Sequence, residues 1–267
     1  MINELANIVK EVGALLLNWR EAKAADGEWV GAQFKSKADI MAHEALTERL
    51  EKLEPGLPIM SEEAEDSWFQ KRPDTYWIID PIDGTASYAQ GFKGFVTQVA
   101  LMEKNKPILS AIYAPALEQL YIAERDEKVT LNGRRLNLST RRRKTGSILI
   151  DNYPEPHGIT SSVYQELGFT KYIECGSISL KICKVADGTA DLFFKDVPVR
   201  DWDLAAPHLI IEEAEGYLYD INGEEFKYTG NHEHNGLVAA QTENGAMKLL
   251  SWYKQRVDFR LKNLERI

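Results

Sequence analysis

The sequence predicts a fold that combines α+β and α/β features, a layered sandwich of sheets between helices made of two fused halves. Strand candidates cluster between residues 76 and 138, whereas helix and strand patterns alternate from residue 147 onward. Clustered strands indicate an antiparallel sheet with flanking helices, and alternation is typical of an α/β arrangement. The basic run 141–144 is typical of a solvated connector. We therefore place the halves at 1–140 and 141–267 and expect the functional site in the cleft between them.

Two helices and five strands are predicted in the first half. Apolar residues recur every three or four positions over 2–20, which is one stripe of an amphipathic helix. A second helix over 38–53 ends before Pro55-Gly56, and the glycine-containing stretch 24–36 is predicted as a loop. The Asn132-Gly133 pair predicts a hairpin that leads into the run 135–138. The predicted strands are 76–79, 96–102, 108–113, 119–123 and 128–131.

Strands and helices alternate in the second half. Ser177 is a residue type that favours the N-cap position, so we expect it at the start of its helix. The predicted strands are 147–150, 171–174, 190–194, 217–220 and 237–240. The predicted helices are 161–167, 177–186, 202–213 and 246–257.

The composition narrows the class of protein. With 44% hydrophobic and 27% charged residues, the chain is globular rather than disordered. Its net charge of -9 argues against a general binder of nucleic acid polymers or membrane surfaces. Small anionic substrates stay compatible with this charge, because bound cations invert the local field. Two cysteines, no signal-peptide pattern and no apolar run of membrane-spanning length are typical of a cytoplasmic enzyme.

The stretch 75–92 is the strongest candidate for chemistry. An apolar run ends at Asp80, and Asp83 follows three positions later. Pro81 is expected to stop the strand and Gly84 to allow a tight turn into a helix. Two carboxylates suit a divalent cation such as Mg²⁺, and a helix start suits a phosphate oxygen. An Asp-Gly pair near the end of a strand is more often a simple turn, so the interpretation as a metal and phosphate site depends on the other acids of the chain.

Three further places carry acids where an element begins or ends, namely Asp39, Glu62 and the pair Asp201/Asp203. Each by itself is more often a helix cap or a solvated charge. No histidine and cysteine cluster with zinc-ligand spacing competes with them. His232 and His234 lie in a polar stretch and are expected at the surface.

Taken together, the motifs resemble the inositol monophosphatase superfamily, which includes the 3'(2'),5'-bisphosphate nucleotidases. The resemblance rests on Glu62-Glu63, on the stretch from Asp80 to Thr85 (Asp-Pro-Ile-Asp-Gly-Thr) and on Trp202-Asp203. It extends over about residues 35–228. It implies a five-layered αβαβα sandwich like that of inositol monophosphatase and fructose-1,6-bisphosphatase.

The resemblance also implies roles for individual residues. Mg²⁺, as two or three ions, is expected on Glu62, Asp80, Asp83, Asp203 and the carbonyl of Ile82. Thr85, Glu62 and Asp39 are expected to activate water, and the N–H groups of Gly84 and Thr85 to hold the phosphate. The remaining substrate contacts are expected from Gly176, Ser177, Lys181 and Asp196. Sensitivity to Li⁺ is implied as well, and a homodimer is left open.

The substrate is the least determined feature. The stretch 176–194, with Lys181, resembles bacterial nucleotidases, whereas Asp196 and the run 88–92 resemble inositol phosphatases. We expect hydrolysis of 3'-phosphoadenosine 5'-phosphate to AMP, with inositol-1-monophosphatase as the alternative. Fructose-1,6-bisphosphatase and a catalytically inactive regulatory protein are more distant. A phospho-aspartate phosphatase is disfavoured, because the acids are spaced Asp-x-x-Asp rather than Asp-x-Asp.

Overall fold

The computed structural model describes residues 1–22, 27–30, 33–68, 71–140 and 147–264. The helices are α1 (Ile2–Glu21), α2 (Lys37–Leu53), α3 (Thr85–Ala89), α4 (Ile159–Glu166), α5 (Ile178–Ala186), α6 (Asp201–Glu213) and α7 (Glu243–Leu264). The strands before residue 140 are β1 (Gly27–Val30), β2 (Gln33–Ser36), β3 (Ile59–Ser61), β4 (Thr75–Asp83), β5 (Val96–Glu103), β6 (Lys106–Ala114), β7 (Gln119–Glu124), β8 (Lys128–Leu131) and β9 (Arg134–Arg135). Those after it are β10 (Ile148–Asp151), β11 (Lys171–Glu174), β12 (Leu192–Lys195), β13 (Val199–Arg200), β14 (Tyr217–Tyr219), β15 (Glu233–His234) and β16 (Leu237–Ala240).

Two large sheets and three helical layers form an αβαβα sandwich, as the sequence predicts. The first sheet has seven strands in the order β3-β4-β5-β6-β7-β8-β9 and is antiparallel except for the β3–β4 pair. The second has five strands in the order β11-β10-β12-β16-β14. Helices α1 and α2 cover the outer face of the first sheet, α5 and α6 lie between the sheets, and α4 and α7 cover the second.

Burial of both sheet faces explains the continuous apolar runs in the strands. Successive side chains of a strand point to opposite faces, so a strand covered on both sides is apolar at every position. In β4, Tyr76 and Ile78 face the central helices, whereas Trp77 and Ile79 face α1 and α2. In β12, Leu192 and Phe194 belong to the outer core and Phe193 to the central one.

Pro81 does not end the strand that contains it, which corrects the prediction. Strand β4 continues to Asp83, and its pairing with β5 shifts register between Asp80 and Asp83. A bulge leaves a residue outside the regular ladder, so a proline without an N–H donor is tolerated there. The bulge therefore places two acids at the end of a strand that is apolar from Tyr76 to Ile79.

The stretch predicted as a loop at 24–36 instead contains the antiparallel hairpin of β1 and β2. The Asn132-Gly133 turn is confirmed, with positive φ angles of 50° and 77°, as a two-residue hairpin of this type requires. Its second strand is only two residues long and is followed by a 3-10 turn at Leu138–Thr140. The basic run 141–144 lies outside the described residues, and the division of the chain at that point stays a prediction. None of the described helices has the length and apolar character needed to cross a bilayer.

Candidate active site

Three aspartates meet where β4 ends and α6 begins. Asp80 and Asp83 come from the bulge of β4, and Asp203 is the third residue of α6. One carboxylate oxygen of each lies within 4.8 Å of the others. Asp80 is 1% exposed and Asp83 5% exposed, so these charges are concentrated in a region with little access to water.

The electrostatics of this cluster favour a cation. Burial, and then the neighbouring carboxylates, raise the pKa of Asp80 and of Glu62 well above their usual values. Burial and Asp83 raise the pKa of Asp203 to about 6. Among the described residues no hydrogen-bond donor reaches the buried Oδ1 of Asp80. A set of oxygen ligands that repel one another, one of them without a donor, fits a hard divalent ion such as Mg²⁺.

Asp83 also holds the start of α5, the helix that follows Gly176 and Ser177. Its carboxylate accepts hydrogen bonds from Ser177 Oγ at 2.7 Å, from the N–H of Ile178 at 3.1 Å and from the N–H of Ser179 at 2.6 Å. Ser177 is the N-cap of α5, as predicted, and its Oγ accepts the N–H of Leu180 at 2.8 Å. Asp83 thus satisfies the free N–H groups of the first turn of α5 while it faces the other acids.

Thr85 connects the acid cluster to a second buried carboxylate. Its Oγ1 lies 3.1 Å from Asp39 Oδ1 and 2.9 Å from the carbonyl oxygen of Ile82. The other carboxylate oxygen of Asp39 accepts the N–H and Oγ of Ser36 at 2.9 and 2.7 Å, which caps α2. Burial raises the pKa of Asp39 in spite of these bonds. Asp39 therefore lies behind Thr85 and reaches the cleft through that hydroxyl.

Gly84 is required by both its conformation and its surroundings. Its φ of 91° lies in the left-handed region, and a Cβ there would lie 3.0 Å from the carbonyl oxygen of Gly94. The glycine thus brings the start of α3, with the backbone of Thr85, against the acid cluster.

These residues form one wall of an open cleft of about 690 Å³. The predicted site residues that line it are Glu62, Asp80, Ile82, Asp83, Gly84, Thr85, Gly176 and Asp203. Asp39, Ser177, Lys181 and Asp196 are not among its lining residues. Among the lining residues that were not predicted as site residues are Phe92, Asn152, Tyr153 and Lys195.

Lys195, rather than Asp196, faces the cleft. Among the described lining residues it is the only cation. The alternation of β12 could have revealed this, because Phe193 points toward the central layer and residue 195 shares its face. The assignment of Asp196 as a substrate contact stays a prediction, and Asp196 is not among the lining residues of the cleft.

The prediction of a direct substrate contact for Lys181 needs correction. Its side chain is 0% exposed, so the lysine faces neither the cleft nor the solvent. The ammonium donates to Asn152 Oδ1 and, at 3.5 Å, to the carbonyl oxygen of Gly176, and lies 4.7 Å from the centre of the Phe193 ring. Burial lowers the pKa of Lys181 to about 8. The lysine lies behind the cleft wall and joins two segments that form it.

His232 and His234 are not the surface residues predicted from their polar neighbourhood. His234 Nε2 lies 2.7 Å from Asp201 Oδ1, and His232 Nδ1 lies 3.3 Å from Asp201 Oδ2. Arg72 also donates to this fully buried carboxylate. Burial opposes the charge of Asp201, but these donors hold the pKa of its carboxyl well below the usual value. The network anchors the first residue of α6, two positions before Asp203.

The comparisons with known proteins agree with this geometry. The sequence model of the inositol monophosphatase family matches residues 2–255, and the chain belongs to that family. Enzymes of this family are metal-dependent phosphatases that use Mg²⁺.

The individual relatives have different functions by name. The chain is 34% identical to the 3'(2'),5'-bisphosphate nucleotidase CysQ of Salmonella typhimurium over 194 residues, 72% of this chain and 78% of that protein. It is 29% identical to the Nus factor SuhB of Escherichia coli over 240 residues, 86% of this chain and 89% of that one. The structure of an IMPase from Thermotoga maritima has the same fold, with a TM-score of 0.79 at 23% identity, covering 94% of this chain and 97% of that chain.

Proposed function

We propose that the protein is a Mg²⁺-dependent phosphomonoesterase whose substrate is 3'-phosphoadenosine 5'-phosphate, which it hydrolyses to AMP. The observation that carries this proposal is the convergence of Asp80, Asp83 and Asp203 within 4.8 Å beside the Thr85–Asp39 pair. Glu62, these three aspartates and the Ile82 carbonyl would hold two or three ions. When bound, the ions neutralise charge on the phosphate and the leaving oxygen and lower the pKa of a coordinated water.

The residues around the acids have complementary roles in the proposed reaction. When Thr85 donates its hydroxyl proton to Asp39, the lone pairs of Oγ1 are free to accept a proton of the attacking water and to orient it. Glu62 lies on the same wall and assists by accepting a proton. The backbone N–H groups of Gly84 and Thr85 hold the phosphate, and Gly176 lies on the side of the leaving group.

Two observations support a bisphosphate nucleotide as the substrate. The relative named as a bisphosphate nucleotidase is 34% identical over most of the chain. Lys195 is the only positive charge among the described lining residues, and the other charged residues there are all acids. A second phosphate that is not cleaved could bind at this lysine. A cytoplasmic location is part of the proposal and is compatible with the free, buried Cys175 and Cys183.

Inositol-1-monophosphatase is the second candidate, favoured by the run 88–92 and by Asp196 next to the cleft strand. A regulatory role is the third, favoured by the 29% identity to a Nus factor. The absence of a nucleic acid partner and the possibility of a homodimer both stay predictions. Fructose 1,6-bisphosphate is the least favoured substrate.

The test is phosphate release from 3'-phosphoadenosine 5'-phosphate, inositol 1-phosphate and fructose 1,6-bisphosphate at fixed Mg²⁺, with a chelator and Asp80→Asn as controls. We expect Mg²⁺-dependent release and a preference of tenfold or more in kcat/KM for the nucleotide, which corresponds to about 1.4 kcal/mol. A tenfold preference for inositol 1-phosphate would select the second candidate, and no release from any substrate would favour the regulatory role. Titration with Li⁺ in the same assay tests the expected lithium sensitivity.

A further inference from the structure

Two exposed aromatic side chains line the cleft that contains the acids. Six large apolar side chains are strongly exposed among the described residues, and only two of them, Phe92 and Tyr153, are aromatic. Each is 52% exposed, and both line the cleft. The other four, Met1, Ile40, Val197 and Met247, are not among its described lining residues. Exposed apolar side chains that collect at one cleft indicate a binding surface.

The backbone that carries Phe92 is fixed although its ring is exposed. The N–H of Phe92 donates to the carbonyl oxygen of Ser87 at 2.9 Å. The guanidinium of Arg20, on α1, donates to the carbonyl oxygen of Phe92 at 3.0 Å. The backbone of Phe92 is therefore held near the end of α3, the helix whose first residue is Thr85.

Tyr153 has a ring contact of its own, and the residue that precedes it is held by a hydrogen bond. Its ring lies 4.9 Å from the ring of His157, centre to centre. Asn152, the residue before it, accepts a hydrogen bond from the buried ammonium of Lys181. Residues whose backbone is already fixed lose less conformational freedom on binding, which limits the entropy cost of their contact with a ligand.

We propose that Phe92 and Tyr153 bind the base of a purine nucleotide by stacking while its phosphate lies among the acids. This inference rests on the proposed phosphatase function and names the residues that select a nucleotide over a polyol phosphate. Every base presents an apolar π-face to an aromatic ring, whereas inositol presents hydroxyl groups around its ring. Lys195 and the Asn152 amide lie on the same cleft for the second phosphate.

The experiment compares Phe92→Ala, Tyr153→Ala and the double variant with wild type on two substrates. Adenosine 3',5'-bisphosphate, which is another name for 3'-phosphoadenosine 5'-phosphate, carries the base. Ribose 3,5-bisphosphate is its base-free counterpart. Tyr153→Phe keeps the ring, and Met247→Ala on α7 removes an exposed apolar side chain away from the cleft. We measure kcat/KM for both substrates and, by calorimetry, the affinity for adenosine 3',5'-bisphosphate.

Each alanine variant should lose about 5- to 150-fold in kcat/KM and affinity for the base-bearing substrate, the range that measured stacking energies imply. Turnover of the base-free substrate by the alanine variants, and of both substrates by Met247→Ala, should stay within about twofold of wild type. Tyr153→Phe, which keeps the ring, should lose clearly less on the base-bearing substrate than Tyr153→Ala. Equal losses on both substrates, or no loss, would overturn the inference while leaving the phosphatase intact. If wild type binds the nucleotide without releasing phosphate, the proposed function fails, and weaker binding by the alanine variants still supports the stacking role. If wild type does not bind the nucleotide, both the proposed function and the stacking role fail.

Discussion

The hydroxyl of Thr85 lies 3.1 Å from Asp39 Oδ1, which joins the first residue of α3 to an acid in the first turn of α2. The two residues are 46 positions apart in the sequence. Asp39 is held by Ser36 on its other oxygen, so its orientation toward Thr85 is fixed. A hydroxyl that donates to a fixed carboxylate presents its lone pairs in a defined direction, as the orientation of an attacking water requires.

Replacing Thr85 by valine should therefore lower kcat by about a hundredfold or more, the lower end of the range for proton-transfer groups. Valine keeps the shape of threonine but cannot donate to Asp39. Thr85→Ser keeps the hydroxyl and serves as the matched control, with an expected loss of less than about tenfold. Steady-state kinetics at saturating Mg²⁺ measure both variants. Similar rates for the valine and serine variants would contradict the role of the hydroxyl.

Asp80→Asn and Asp83→Asn should separate metal binding from helix capping. Asp80 has one oxygen without a donor among the described residues, so its replacement removes a buried repulsive charge and should leave stability without Mg²⁺ equal or higher. Mg²⁺ should raise the melting temperature of wild type but not of Asp80→Asn, because ligands stabilise only the state that binds them.

Asp83→Asn should be destabilised even without Mg²⁺, by about 2 kcal/mol or more. The carboxylate accepts three hydrogen bonds from the start of α5, and bonds to a charged acceptor contribute about 1.5–3 kcal/mol each. The melting temperatures of both variants, measured in chelator, test this difference. A loss of stability in Asp80→Asn as large as that in Asp83→Asn would contradict the assignment.

Lys195 should govern affinity for a substrate with two phosphates. Lys195→Gln should raise KM for 3'-phosphoadenosine 5'-phosphate by about tenfold and change kcat little, because the contact is the same in ground and transition states. Lys195→Arg keeps the charge and should stay near wild type. The KM of inositol 1-phosphate, which has no second phosphate, should change much less than that of the nucleotide. Equal increases for both substrates would indicate a role at the cleaved phosphate instead.

The buried ammonium of Lys181 should make stability rise with pH in the alkaline range. Burial lowers its pKa from 10.5 to about 8, so between these values the unfolded chain binds the proton more tightly than the folded one. The free energy of unfolding therefore increases as pH rises through this window. Relative to Lys181→Met, wild type should gain about 2–3 kcal/mol between pH 7 and pH 10, at about 1.4 kcal/mol per pKa unit.

Denaturant titrations of both proteins at pH 7, 8.5 and 10 measure this difference. Subtracting the free energy of unfolding of Lys181→Met from that of wild type cancels the contributions of groups that titrate in both proteins. A difference that does not change with pH would show that the ammonium is solvated rather than buried. Lys181→Met should also weaken substrate binding. The lysine bonds to both Asn152 and Gly176 and so fixes the positions of these two lining residues of the cleft.

The acids of the site and the layered fold could be predicted because they depend on local sequence. A buried strand needs an unbroken apolar run, and a polar pair at its end is visible in the order of residues alone. Asp80 and Asp83 therefore stand out without coordinates, whereas Asp203 is assigned only through the resemblance of its motif to the family. The hairpin at Asn132-Gly133 and the cap at Ser177 are local for the same reason, since each depends on the conformational preference of one or two residues.

The tertiary structure decided which side chains reach the cleft and which support it from behind. Lys181 and Lys195 are both cations near the leaving-group region, yet one is fully buried and the other lines the cleft. Their difference depends on the face of α5 and of β12 that packs between the sheets, which is set by contacts between distant segments. Similarly, His232 and His234 become partners of Asp201 only because β15 pairs with β13 beside α6. Local sequence thus determined the acid pair at the end of β4, whereas packing between the layers determined the walls of the cleft, because burial of a polar side chain depends on partners far away in the chain.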